Sequence, residues 1–166
     1  MLTYVATVSH SRLALPTVWS NSAMAPRLSW RNEESSWHVE GMTQGDVDND
    51  GRFELLVWLW KPDQRGAPRS HPFLVGWRGG RYRVFWGGSA VAAPIQHAAI
   101  GAVTGARNVL VVLEGGASGD APATHIAAWT WQGWNFERLW QSEPGVYQHL
   151  ELRDLDGDGV HDIVAW

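Results

Sequence analysis

The sequence predicts an all-β protein: a β-propeller of four-stranded antiparallel blades, about three blade equivalents in the chain, with split half-blades at the two termini. Three observations predict it. An acidic motif recurs at an offset of 108 residues, twice 54, so that Asp46, Asp48, Asp50, Gly51, Glu54 and Trp58 fall on Asp154, Asp156, Asp158, Gly159, Asp162 and Trp166. A second marker, Trp-x-Gly-x-x-aromatic-x-x-x-Trp, occurs as WRGGRYRVFW from Trp77 and as WQGWNFERLW from Trp131. Between the markers lie short runs of Val, Leu, Trp and Phe, and no helical periodicity runs long enough to compete.

Residues 1–166 are read as one propeller domain, long enough for a real core. Residues 1–30 carry LTYVATV, ALPTVW and RLSW, the later strands of a split blade. Trp30 fits the closing Trp of that eroded copy, because Trp30, Trp86 and Trp140 stand 56 and 54 residues apart. Residues 37–88 form a blade with an acidic loop, with strands at 53–60, 72–77 and 82–86. Residues 94–142 form a degenerate blade, with strands at 109–113, 125–131 and 136–140. Residues 146–166 form the first half of another blade, with strands at 147–152 and 160–166. The segments RGGR and QGWN are turn-rich hairpin connections.

The chain has 12 tryptophans, and the regular ones are placed where a flat ring packs between neighbouring blades. Exposure for ligand stacking is left to the irregular ones, Trp19, Trp37, Trp60 and Trp134. The half-blades and full blades add up to three, fewer than the four to eight of a closed ring. Either the chain is a segment of a longer propeller, or two copies exchange half-blades into a six-bladed ring. An open half-ring exposes sheet edges and apolar faces, which favours self-association.

With 45% hydrophobic and 18% charged residues, the composition is that of a folded protein rather than a disordered one. No apolar stretch is long enough to span a bilayer, and the opening MLTYVATVSHSRLALPTVW is not read as a signal peptide. Cysteine is absent, which excludes disulfides and thiolate metal sites. The net charge is −4, yet eight of the 17 acidic residues fall within 46–54 and 154–162. Without those eight, 13 basic residues face nine acidic ones, an excess of +4. The acidity is concentrated in two loops.

Calcium takes six to eight hard oxygens, which one tight loop of carboxylates and carbonyls supplies. In the first loop Asp46, Asp48 and Asp50 alternate so that their side chains converge. Gly51 permits the reversal, Arg52 offers its backbone oxygen and Glu54 closes the shell. The second set is Asp154, Asp156, Asp158, the carbonyl of Val160, and Asp162. Carboxylates this close repel one another without a cation. An EF-hand needs an acidic twelfth residue and a following helix, whereas Val57 and Ala165 hold those places inside strand sequence. Magnesium suits this ligand density less well than the larger ion.

The stretches GDVDNDGRFELLVW and RDLDGDGVHDIVAW resemble the FG-GAP repeats, also called VCBS or integrin-α-type repeats. The repeat frame covers roughly residues 28–166. The resemblance implies a calcium loop between the first two strands of a propeller blade, two Ca²⁺ sites per chain, and the ligands named above. In the middle copy Ala102, Thr104 and Ala106 replace the aspartates, so no third site is expected. It also implies a role in adhesion or recognition, and a place outside the cell or in the cell envelope, where millimolar calcium fills weak sites.

No nucleophile constellation, His-x-x-x-His pair or nucleic-acid module presents itself. His97 and His149 occupy equivalent places before the loops and are read as structural. Arg65, Arg69, Arg78, Arg81 and Arg83 are read as a solvated basic face, with a patch for anionic glycans or phosphates as the alternative. The expected function is a calcium-stabilised binding or assembly module with a protein or glycan ligand. A lectin is the alternative, and a polysaccharide-processing enzyme follows it. For an enzyme the spare carboxylates are Glu33, Glu34, Glu40, Asp63, Glu114, Asp120, Glu137, Glu143 and Glu151, and none forms a recognisable pair.

Overall fold

The computed structural model describes residues 4–6, 17–21, 26–31, 39–62, 68–87, 93–115 and 122–166. Every regular element among them is a strand. A three-stranded sheet holds β1 (Tyr4–Ala6), β2 (Thr17–Asn21) and β3 (Pro26–Arg31). A four-stranded sheet follows, with β4 (Val39–Gly45), β5 (Glu54–Pro62), β6 (Pro68–Arg78) and β7 (Arg81–Gly87) in that order. The second four-stranded sheet has β8 (Ile95–Ala102), β9 (Asn108–Glu114), β10 (His125–Trp131) and β11 (Phe136–Gln141). The last sheet pairs β12 (Leu150–Arg153) with β13 (Asp162–Ala165). Each sheet is an antiparallel meander, and each strand expected between residues 53 and 166 overlaps an observed one. Among the described residues no helix is long and apolar enough to cross a membrane.

The repeat is written into the strand register. Val18, Leu74 and Ala128 pair with Trp30, Trp86 and Trp140, and a bulge follows immediately in each case. The residues left over are Ser29, Phe85 and Leu139, one place before each Trp. A bulge turns the strand at that point and twists the sheet edge. The first strands share a second irregularity, between Val39 and Gly41 and between Ile95 and His97. Three copies of one closing hairpin therefore share one strand register, including the eroded first copy.

Strands β5 and β9 are buried on both faces, which is why they read as unbroken apolar runs. Leu55, Val57 and Leu59 join Val75 in one cluster. The alternate residues Leu56 and Trp58 pack with Leu110 and Val112 of β9 in a second cluster between the two four-stranded sheets. The other face of β9 (Val109, Val111, Leu113) meets Leu150, Leu152 and Ile163 of the last sheet. Sheets thus stack face to face, and β4 lies against β8 as β8 lies against β12. Gly45 permits the first approach: a Cβ there would sit 2.6 Å from the Cβ of Ile100.

The regular tryptophans divide: Trp77, Trp140 and Trp166 are exposed, and others pack between the sheets. Trp58 is buried, and Trp86 meets Trp131 and Phe136 of the next sheet edge to face at 5.5 and 5.2 Å. Trp134 is 74% exposed. Trp37 and the side chains of Trp19 and Trp60 lie outside the described residues.

The middle loop keeps its expected alignment. The bulge between Val39 and Gly41 matches that between Ile95 and His97, so Gly45 falls on Gly101. Gly45 pairs with Glu54, Arg153 with Asp162 and Gly101 with Val109. Ala102 therefore stands in the place of Asp46. Residues 102–108 make a loop one residue shorter than 46–53 or 154–161. The place of Glu54 and Asp162 falls to Val109. This loop contains no carboxylate.

Candidate metal centres

Both acidic loops connect the first strand of a sheet to the second, β4 to β5 and β12 to β13. In the first, Asp46 Oδ1 accepts the Asp50 N–H at 3.0 Å and Asp46 Oδ2 accepts the Gly51 N–H at 3.0 Å. Asp48 Oδ1 accepts the Asp50 N–H at 3.2 Å, and Asp50 Oδ1 accepts the Arg52 N–H at 2.9 Å. Loop two repeats this folding, except that the first aspartate's Oδ1 accepts from the third residue on and not the fourth. Asp154 accepts the N–H groups of Gly157 and Gly159 at 2.7 and 3.0 Å. Asp156 and Asp158 accept those of Asp158 and Val160 at 3.2 and 2.7 Å.

Two left-handed residues make each reversal: Asn49 (φ 61°) and Gly51 (φ 85°), matched by Gly157 (φ 81°) and Gly159 (φ 85°). Glycine adopts this conformation without steric cost, and asparagine tolerates it. The spacing of the aspartates and these reversals gather their oxygens. Within each triad, Asp46–Asp48–Asp50 and Asp154–Asp156–Asp158, one oxygen per residue lies within 4.8 Å of the others. Such a set of hard oxygens fits a divalent cation of the calcium type.

Glu54 and Asp162 stand apart from the triads. Each turns one oxygen to the second residue of its loop: Glu54 Oε2 accepts the Val47 N–H and Asp162 Oδ2 the Leu155 N–H, both at 3.0 Å. One oxygen of each remains. Arg52 and Val160, expected to offer carbonyls, hold the seventh places and lend their N–H groups to the fold of the loop.

The surroundings of the loops differ. Glu54 is buried at 1% exposure, whereas all four carboxylates of the second loop are exposed. Burial, with the Asp48 carboxylate beside it, pushes the Glu54 carboxyl up to about 7, against the Val47 N–H and Arg78, which favour the charged form. Burial also raises the Asp48 carboxyl, with Asp50 adding to it.

Arg78 is the functional residue that the sequence did not point to. It belongs to the expected basic face, yet its guanidinium turns into the first acidic loop. Nη2 pairs with Asp48 Oδ2, and Nη1 lies 3.5 Å from Glu54 Oε1 and 3.9 Å from Asp50 Oδ2. The guanidinium carbon stands 4.3 Å over the Phe85 ring. The signal is long-range: β5 and β6 pair in a register that carries Arg78 past Glu54. Arg81 and Arg83 are exposed as expected, and Arg65 lies outside the described residues.

Beside this loop opens a cleft of about 400 Å³ lined by Asp48, Asp50, Arg78, Phe85, Arg107 and Trp131. His97 and His149, equivalent in sequence, meet with ring centroids 5.8 Å apart, and His149 stacks on Trp166. Among the spare carboxylates, Glu114 is buried in β9, while Glu33, Glu34, Asp63 and Asp120 lie outside the described residues. Compared with family models, with curated proteins and with solved structures, the chain matches none.

Proposed function

We propose that this chain is a calcium-stabilised β-propeller module for binding or assembly, with one Ca²⁺ in each acidic loop. One observation carries the reading: two loops 108 residues apart fold their aspartates into nearly the same pattern of hydrogen bonds, with oxygens clustered within 4.8 Å. Asp46, Asp48, Asp50 and Glu54 would hold one ion, and Asp154, Asp156, Asp158 and Asp162 the other. The ion's role is to neutralise the repulsion and lock the connection between two strands. The propeller reading draws support from the face-to-face stacking of sheets and from the contacts of β4 with β8 and of β8 with β12. A role outside the cell or in its envelope belongs to this proposal, since calcium is abundant there.

Self-association is part of the proposal. The last sheet covers the β9 face of its neighbour, but Leu139 and Trp140 of β11 are each left 49% exposed. In the preceding sheet the equivalent Trp86 is covered by Trp131 and Phe136. Strands from a second copy, or from a longer propeller, would cover Trp140. Three N-terminal and two C-terminal strands make five, so in an exchanged blade of four either β1 or β13 stands outside.

The test is Asp156→Ala, with thermal stability measured in calcium and in chelator. The variant loses stability in calcium and changes little in chelator. Equal losses in both would remove Asp156 as a ligand. Light scattering with and without chelator reads assembly, and a stable, well-folded monomer of 18.5 kDa would rule out self-association.

A lectin is the second reading, favoured by the cleft, whose lining includes Trp131 and Arg107. A glycan array reads it directly, and silence across all sugars removes it.

A further inference from the structure

We propose that Arg78 is a resident counter-cation that makes the two loops unequal: loop 154–162 takes calcium first, and loop 46–54 takes it only by displacing Arg78. This rests on the calcium reading above, but its own basis is a contrast within the chain. After Glu54 Oε2 accepts the Val47 N–H, the remaining oxygen, Oε1, lies 3.5 Å from Arg78 Nη1. The same guanidinium pairs with Asp48 and reaches Asp50 at 3.9 Å. Arg78 thus occupies oxygens on three of the four carboxylates that an ion would need.

The second loop has nearly the same backbone bonds and, among the described residues, no such cation. Leu155 N–H binds Asp162 Oδ2 as Val47 N–H binds Glu54. Among the described residues no arginine or lysine pairs with a carboxylate of that loop, and Arg153 pairs with Glu151 instead. In the second four-stranded sheet the place of Arg78 is held by Gln132, next to Trp131 of the shared motif. Where the acidic loop is lost, the cation is lost with it.

Arg78 is held as well as attracted. Its Nη1 donates to the Trp77 carbonyl at 3.0 Å, and its guanidinium rests on the Phe85 ring. An entering ion must break this set, which lowers affinity at the first loop without altering its donors. The cleft lined by Phe85, Trp131 and Gln132 gives the displaced guanidinium a place to go.

The test is calorimetric titration of CaCl₂ into the chelator-treated full chain, its R78Q and D156A variants, and R81Q as a control. The wild-type chain shows two steps separated by about tenfold or more in affinity, and D156A removes the tighter one. R78Q brings the weaker step to within about threefold of the tighter, and R81Q changes neither. A wild type that takes one ion, with a second gained only in R78Q, supports the proposal equally. Two equal steps in wild type, or a weak step unmoved by R78Q, overturns it and leaves the calcium reading standing. No ion taken up by any variant sinks the calcium reading itself. If R78Q fails to fold, D156A decides, because loss of the weaker step instead of the tighter refutes the order of filling.

Discussion

Asn49 and Asn108 clasp one another between two sheets. Asn49 Oδ1 accepts the Asn108 backbone N–H at 2.7 Å, and Asn49 Nδ2 donates to the Asn108 carbonyl at 3.3 Å. Asn108 Nδ2 adds a bond to the Asp46 carbonyl at 3.0 Å. The degenerate loop has thus kept a role: without carboxylates of its own, it braces the acidic loop of the preceding sheet.

The clasp predicts an order among variants at residue 49. Asn49→Gly loses both clasp bonds but relaxes a left-handed backbone (φ 61°), so it should cost about 1 kcal/mol. Asn49→Ala loses the same bonds and also strains that backbone, costing about 1 kcal/mol more. Urea denaturation of the three proteins reads the order. Equal stability of the Gly and Ala variants would show that the left-handed turn carries no strain.

Packing between the sheets predicts a contrast between two tryptophans, one closing β7 and the other in the turn between β10 and β11. Trp86 joins Trp131 and Phe136 across an interface, whereas Trp134 is 74% exposed in a turn. Trp86→Ala should cost about 3–5 kcal/mol, the usual range for a large aromatic truncated in a packed cluster. Trp134→Ala should fall within about 0.5 kcal/mol of wild type. Thermal or denaturant unfolding distinguishes them, and similar losses would place Trp134 in an interface between copies.

Much of the strand pattern was legible because β5 and β9 are sandwiched between clusters, and a strand apolar on both faces leaves an unbroken run. The closing tryptophans were legible for a related reason: each answers a bulge, and a bulge fixes spacing. The two aspartate triads could be read from local spacing alone, since the loop gathers its own side chains. What escaped was non-local. Arg78 looked like one of several surface arginines, because its approach to Glu54 depends on how β5 pairs with β6.

Glu114 predicts a pH dependence separate from the loops. Its Oε1 accepts from Gln141 Nε2 at 3.1 Å, while Oε2 is buried without a hydrogen-bond partner. Burial raises its carboxyl above the usual range, although Arg138 and His125 favour the charged form. The folded chain therefore holds this proton more tightly than the unfolded chain. Its contribution to stability is complete below the ordinary glutamate pKa of about 4.5 and is lost as pH rises through the folded-state value. Glu114→Gln should flatten that decline and raise stability at pH 8 by about 1 kcal/mol. Parallel pH profiles of the two proteins would remove Glu114 as the source.

At Glu54 the sign of a mutation should depend on the ion. Without calcium, its carboxyl is pushed up to about 7 by burial and by Asp48, so the neutral form is favoured in the folded chain. Its contribution is full below pH 4.5 and disappears as pH climbs through about 7, so the ion-free chain loses stability over that interval. Glu54→Gln keeps an acceptor for the Val47 N–H and removes the charge, so in chelator at pH 8 it should be more stable than wild type. In millimolar calcium the order should reverse, because a carboxylate oxygen stabilises a bound cation more than an amide oxygen does. Melting temperatures of both proteins in chelator and in calcium, at pH 5 and pH 8, read all four arms. A variant more stable than wild type in both media at pH 8 would mean that Glu54 is a buried acid beside Arg78 and contributes nothing to an ion.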